Sequence, residues 1–228
     1  MAQKPPGRET YTMIRVNIFV EGQTEETFVR ELLYGYFLAK NIYLNPILVK
    51  TSSTGKGGVV SYAKIKPQLN RKCLEDKTAI VTTMFDMYAL PNDFPGSNSI
   101  PKTKDPFQKA EHLEREMGKD VGHKNFIPNL LVHEFEGLLY SQPDAFSLWF
   151  DEGVVSILQA ERHAFPSPEH INDHPQKAPS KRIRNCCKGY DKALHGSLLA
   201  LDIGLDTIRQ ECQHFHQWLL RLENLISS

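Results

Sequence analysis

"IFVEGQTEETF", residues 18–28, carries an apolar run onto Glu21-Gly22 and then into a helix-like segment holding two more acids. Upstream, IRVNIFV at 14–20 is β-branched and almost continuously apolar, as a strand covered on both faces must be. Downstream, Phe28, Leu32, Leu33, Tyr36 and Phe37 recur at helical spacing, which predicts a helix from about Thr24 to Lys40. Thr24 suits its cap, and Glu25 and Glu26 lie where the helix dipole favours negative charge. Glu21 lies outside that first turn, so a buried strand ends on an acid that capping does not explain.

The same pattern recurs along the chain. IYLNPILV (42–49) reads as a second strand, VVSYAKIKPQLNRKCL (59–74) as a helix interrupted or kinked near Pro67, and KTAIVTTMF (77–85) as a third strand running into Asp86. A Pro/Gly/Asn-rich loop (89–106), a helix (106–117), a fourth strand FIPNLLVH (126–133) and a helix start EFEGLLYSQ follow. Alternating strands and helices predict an α/β fold, a mostly parallel sheet flanked by helices. Such sheets place their sites beyond the carboxyl ends of the strands. Glu21, Asp86 and the pair Glu134/Glu136 each lie just past such an end.

From about 142 onward the chain reads as mainly helical. Its last helix, about 205–224, carries Leu205, Ile208, Cys212, Phe215, Leu219 and Leu222 on one stripe that packs back on the core. The organisation expected is a flexible tail (1–12), an α/β core (13–150) and a helical extension (151–228).

Composition bounds the function. Lys plus Arg and Asp plus Glu number 27 each in 228 residues, so no global field draws in a polyanion. Hydrophobic residues make up 40%, as in soluble globular proteins. No run approaches the ~18 apolar residues of a membrane helix, and MAQKPPGRETYT has no signal-peptide core, so a cytoplasmic location is expected. The four cysteines form no C-x-x-C pair and read as reduced thiols. His170/His174 and Cys212/His214/His216 do not present a convergent zinc set. One local cluster stands out: KAPSKRIRNCCKGYDK (177–192) holds six cations against the single acid Asp191.

Three acids converging at one sheet edge repel each other unless a cation sits between them. Oxygen ligands of this kind suit Mg²⁺ or Mn²⁺, which activate water and neutralise charge on a phosphodiester. The plainer alternative is helix capping, to which Glu134 is well placed. The glycine-rich TSSTGKGGVV (51–60) departs from a phosphate-binding loop at Lys50 and Gly57 and reads as a turn. Lys181 and Arg182 follow Pro179-Ser180, where a helix start could aim them at backbone phosphates; the alternative is a solvated basic surface beside a loop. His195 can meet a phosphate, act as an acid–base group, or simply lie at the surface.

Seven segments carry a resemblance: VEGQTEE (20–26), TMFDMYALPNDFPG (83–96), HEFEGLL (133–139), SPEHIN (167–172), APSKR (178–182), YDKALHG (190–196) and IRQECQHFHQWL (208–219). The strand–Glu–Gly opening resembles the first half of a Toprim domain. The whole is similar to a Toprim-like family of bacterial domains of unknown function, related to the Toprim domains of overcoming-lysogenisation-defect nucleases. The resemblance implies a Toprim-like (Rossmann-like) core with Mg²⁺ or Mn²⁺. Glu21 would be general base or metal ligand, and Asp86 the first acid of an Asp-x-Asp pair. Tyr88 replaces the second acid, and Glu136 is the candidate for the missing ligand. Lys192 and His195 join Glu21 and Asp86 as catalytic candidates, with Glu25, Tyr88, Lys181 and Arg182 on the substrate side. The activity implied is a metal-dependent nuclease or phosphodiesterase acting on DNA or RNA, the effector of an anti-phage system with an ABC-type ATPase as partner. Two rivals stand beside it, a non-catalytic subunit docking on the ATPase and a hydrolase of a small phosphorylated substrate.

Overall fold

The computed structural model describes residues 13–50, 61–171 and 175–227. The tail (1–12), the glycine-rich stretch (51–60) and residues 172–174 lie outside these, and with them the expectations placed there.

Among the described residues five strands form a wholly parallel sheet: β1 (Ile14–Val20), β2 (Ile42–Leu48), β3 (Ile80–Asp86), β4 (Phe126–Ile127) and β5 (Leu130–Leu131). The order is β2-β1-β3-β4, with β5 also on β3. The helices are α1 (Gln23–Phe28), α2 (Tyr34–Leu38), α3 (Tyr62–Glu75), α4 (Pro106–Val121), α5 (Glu136–Leu139), α6 (Glu152–His163), α7 (Pro179–Cys186), α8 (Ser197–Ile203), α9 (Leu205–Glu211) and α10 (Gln213–Glu223). This is the α/β class that the alternating pattern predicts.

Side chains alternate across β1. Val16, Ile18 and Val20 join one core with Phe28, Phe37, Phe135, Leu199, Phe215 and Trp218, while Phe19 joins the other with Ile65, Leu69, Val81, Phe85 and Met117. Both faces are therefore apolar, which accounts for the near-continuous hydrophobic run. The C-terminal helices supply much of the first core, including the fully buried Trp218, whose indole N–H donates to Thr82 Oγ1 at 3.1 Å.

Several boundaries differ from expectation. The first helix starts after Gly22 rather than on a Thr24 cap, and it passes through a π-helical turn at Val29–Leu33 before α2. α3 continues through Pro67. α4 runs four residues beyond its expected end, closing on Gly122 in the left-handed region (φ 68°). The fourth strand is split at Pro128-Asn129, since Pro has no N–H for the ladder. Asn129 instead interlocks with Thr83: Thr83 Oγ1 donates to the Asn129 carbonyl at 2.6 Å, and Asn129 Nδ2 donates to the Thr83 carbonyl at 3.1 Å. The expected last helix is broken at Cys212 into α9 and α10. The cause is tertiary. The buried Glu169 carboxylate accepts the N–H groups of both His214 and Phe215 at 2.9 Å, capping α10 afresh.

Candidate active site

Register brings the first two acids together. Val20 stands opposite Met84, so Glu21 and Asp86 emerge at the same edge of adjacent strands. Glu21 Oε1 accepts the Asp86 backbone N–H at 2.9 Å. Asp86 closes β3, and its Oδ1 accepts the Phe135 N–H at 2.9 Å, tying the segment ahead of α5 to the strand end. Glu136 opens α5, while Glu25 projects from the first turn of α1. Glu25, Asp86 and Glu136 are all buried.

Lys192 fills the space between these acids. Its Nζ lies 3.1 Å from Glu25 Oε1, 3.2 Å from Glu136 Oε2 and 3.4 Å from Asp86 Oδ2. The lysine arrives on the π-helical turn Lys192–Gly196, whose start is capped by the Asp191 side chain on the Leu194 N–H. Thr24, expected to cap its own helix, donates its hydroxyl to the Lys192 carbonyl at 3.2 Å. Gly196 packs so tightly on Thr24 that a Cβ there would stand 3.0 Å from Thr24 Cγ2.

One ammonium is paired with three carboxylates in a poorly solvated place, with Glu21 beside them, and the acids respond. Burial pushes Asp86 up to about 7 against the pull of Lys192, and neighbouring Glu25 and Glu136 raise it further. Glu21 is held well above the ordinary carboxylate range, first by burial and then by the Asp86 charge. Glu136 is raised by burial, with Lys192 opposing. For Lys192, burial favours the neutral amine, but the three carboxylates outweigh it and keep the ammonium protonated. Neither buried oxygen of Glu136 has a donor in hydrogen-bonding geometry; its contact with Lys192 is an ion pair by distance alone. The Tyr190 hydroxyl is likewise buried without a partner, and the Glu136 charge is among the causes that raise it.

The remaining candidates fall elsewhere. Arg182 pairs with Glu161 at 3.1 Å and donates to the Lys177 carbonyl at 2.7 Å, so it is turned away from the acids, and Lys181 is exposed. His195 accepts the Asp191 N–H on Nδ1 and packs its ring among Tyr190, Phe150 and Trp149. Tyr88 is exposed just beyond β3, its N–H donating to the His133 carbonyl. Glu134 does cap a helix, but a distant one, accepting the Ser180 N–H in α7 at 2.9 Å. The basic cluster of 177–192 is thus dispersed: Arg182 and Lys192 are spent on ion pairs. Sequence reasoning missed Tyr190 and Thr24 as parts of the site; YDKALHG held Tyr190 two residues from Lys192, the one local signal.

As donors for Mg²⁺ or Mn²⁺ the residues fit: Glu21, Asp86 and Glu136 offer hard oxygens, and the donor-less Glu136 oxygens are a buried site for positive charge. Among the described residues, however, no group of three or more His, Cys, Asp or Glu is already spaced to hold a metal, because the acids converge on Lys192 instead. Clefts of about 560 and 430 Å³ lie away from the acids, one at Cys73, Lys77 and Asn125, the other at Phe107, Arg162 and His170. No described helix is long and apolar enough to cross a membrane.

Among curated proteins none matches the chain significantly. A solved structure, the C-terminal region of the Xanthomonas campestris pv. campestris OLD protein, is similar at 13% identity with a TM-score of 0.40, over 96% of this chain and 97% of that one. A family model matches residues 20–223, nearly the whole sequence, and the chain therefore belongs to the family described as domain of unknown function DUF4276.

Proposed function

We propose that this chain is a Toprim-type, divalent-metal-dependent nuclease or phosphodiesterase whose centre is the carboxylate cluster at the ends of β1 and β3. The observation that carries the reading is the convergence of Glu25, Asp86 and Glu136 on a single cation, Lys192 Nζ, with Glu21 bonded to Asp86 beside them. The motif resemblance at 20–26 and 83–96 adds to it. Glu21, Asp86 and Glu136 would hold Mg²⁺ or Mn²⁺, and such an ion polarises a phosphoryl oxygen and lowers the pKa of water. Where Glu21 is ionised and not itself a ligand of the ion, it would take the proton from the attacking water. Released from the acids, Lys192 would offer its ammonium to the phosphate oxygens. The polymer is DNA or RNA, and the chain acts as effector beside an ABC-type ATPase in anti-phage defence.

A second reading, a non-catalytic module docking on the ATPase, is favoured by Tyr88 standing where a second acid is expected and by the ion pairs already made to Lys192. Incubation with plasmid, single-stranded DNA and RNA in Mg²⁺ or Mn²⁺ decides between them. Metal-dependent cleavage by the wild type that is lost in Glu21→Gln supports the nuclease. Cleavage of none of the three in either metal overturns it.

A further inference from the structure

We infer that Lys192 is a built-in stand-in for the divalent cation: its ammonium closes the carboxylate centre, and metal enters only as the segment carrying Lys192 withdraws. The inference rests on the metal-dependent reading above and adds an occluding contact to it.

Three observations carry it. First, Nζ sits 3.1–3.4 Å from one oxygen each of Glu25, Glu136 and Asp86, the central place among the acids. Two cations cannot share such a point, since two positive charges a few ångströms apart in a poorly solvated site repel strongly. Second, the ammonium satisfies the cluster incompletely. Glu136 is 1% exposed, yet Lys192 Nζ, 3.2 Å from Oε2, is poorly aligned with it and Oε1 has no hydrogen-bond partner at all. A buried carboxylate in that condition is costly when ionised, and a divalent ion taking the lysine's place would satisfy it more fully. Third, the acids and the lysine are anchored differently. Glu21 and Asp86 sit on the ends of core strands, and Glu136 on a fully buried helix. Lys192 comes in from the solvent side with 29% of its side chain exposed. Its backbone is held by the Thr24 hydroxyl on its carbonyl, and Gly189 ahead of it turns at φ 85°. The lysine's segment touches the first core only at its flanks, through Tyr190 and through Gly196 beside Phe135, whereas the acids stand on the core elements themselves.

The test is Mn²⁺ binding by titration calorimetry on the whole chain, for wild type, Lys192→Met, Lys192→Arg and the exposed-site control Lys188→Met. Lys192→Met is expected to bind Mn²⁺ at least about tenfold more tightly than wild type. Lys192→Arg and Lys188→Met should stay near the wild-type value. Because Lys192→Met leaves acids unneutralised, amide exchange of the wild type serves as a second measurement, and residues 188–196 should lose protection when Mn²⁺ is added. Equal or weaker binding by Lys192→Met, or unchanged exchange at 188–196 in metal-saturated wild type, overturns the stand-in role while leaving the metal reading intact. Absence of Mn²⁺ binding in wild type and Lys192→Met alike overturns both.

Discussion

Glu21 Oε1 accepts the backbone N–H of Asp86 at 2.9 Å, joining two residues 65 positions apart through one bond at the edge of the sheet. That bond fixes the side chain of one acid to the backbone of the other, so the two carboxyl groups are held close. Asp86 is buried there among further acids, and the consequence for its proton can be measured.

Asp86 binds its proton with a pKa of about 7 in the folded chain, against an ordinary value of 3.8, so between these values the folded state holds more protons than the unfolded one. Stability must then fall as pH rises from about 4 to about 7 on account of this residue. Asp86→Asn, which can still accept from Phe135 and contact Lys192, removes that contribution. Its stability relative to wild type should rise by on the order of 2 kcal/mol across the interval. Urea melts of both proteins at pH 5 and pH 7.5 check this, and parallel profiles would show the shift to be absent.

Glu169 supplies the cap that breaks the last helix, accepting two N–H groups at the start of α10. Glu169→Ala strands both and should cost about 1–3 kcal/mol, with Glu169→Gln costing less because one acceptor remains. Thermal melts of the two variants give the comparison; equal losses would mean that packing, not acceptance, is what Glu169 contributes.

Gly196 lies against Thr24, Tyr190 and Phe135. A methyl group there must displace the β-branched Thr24, whose hydroxyl holds the Lys192 carbonyl. Gly196→Ala should lose about 1–3 kcal/mol and raise amide exchange at residues 190–196 above that of wild type. An unchanged exchange pattern would separate this glycine from the placement of Lys192.

Trp218→Phe removes the indole donor to Thr82 and leaves space in the first core, for a loss of about 2–4 kcal/mol. Adding Thr82→Val to it should recover part of that loss, because the stranded hydroxyl goes too. A strictly additive double mutant would mean the hydrogen bond contributes nothing net.

The α/β class was legible in the sequence because it depends on local pattern. A buried parallel strand must be apolar at consecutive positions, as IRVNIFV is, and a helix must show its stripe, as Phe28, Leu32, Leu33, Tyr36 and Phe37 do. The acids at strand ends were legible for the same reason, since the carboxyl edge of a parallel sheet is a place that sequence order alone designates. Tertiary contact decided the rest. Nothing local marks Lys192 as the partner of Asp86, 106 residues away, or assigns Arg182 to Glu161 rather than to a phosphate. Nor does the unbroken stripe of 205–224 disclose that Glu169 interrupts it at Cys212. Periodicity reports which face of an element is buried, whereas pairing of charges depends on which elements meet, and only the folded chain brings those together.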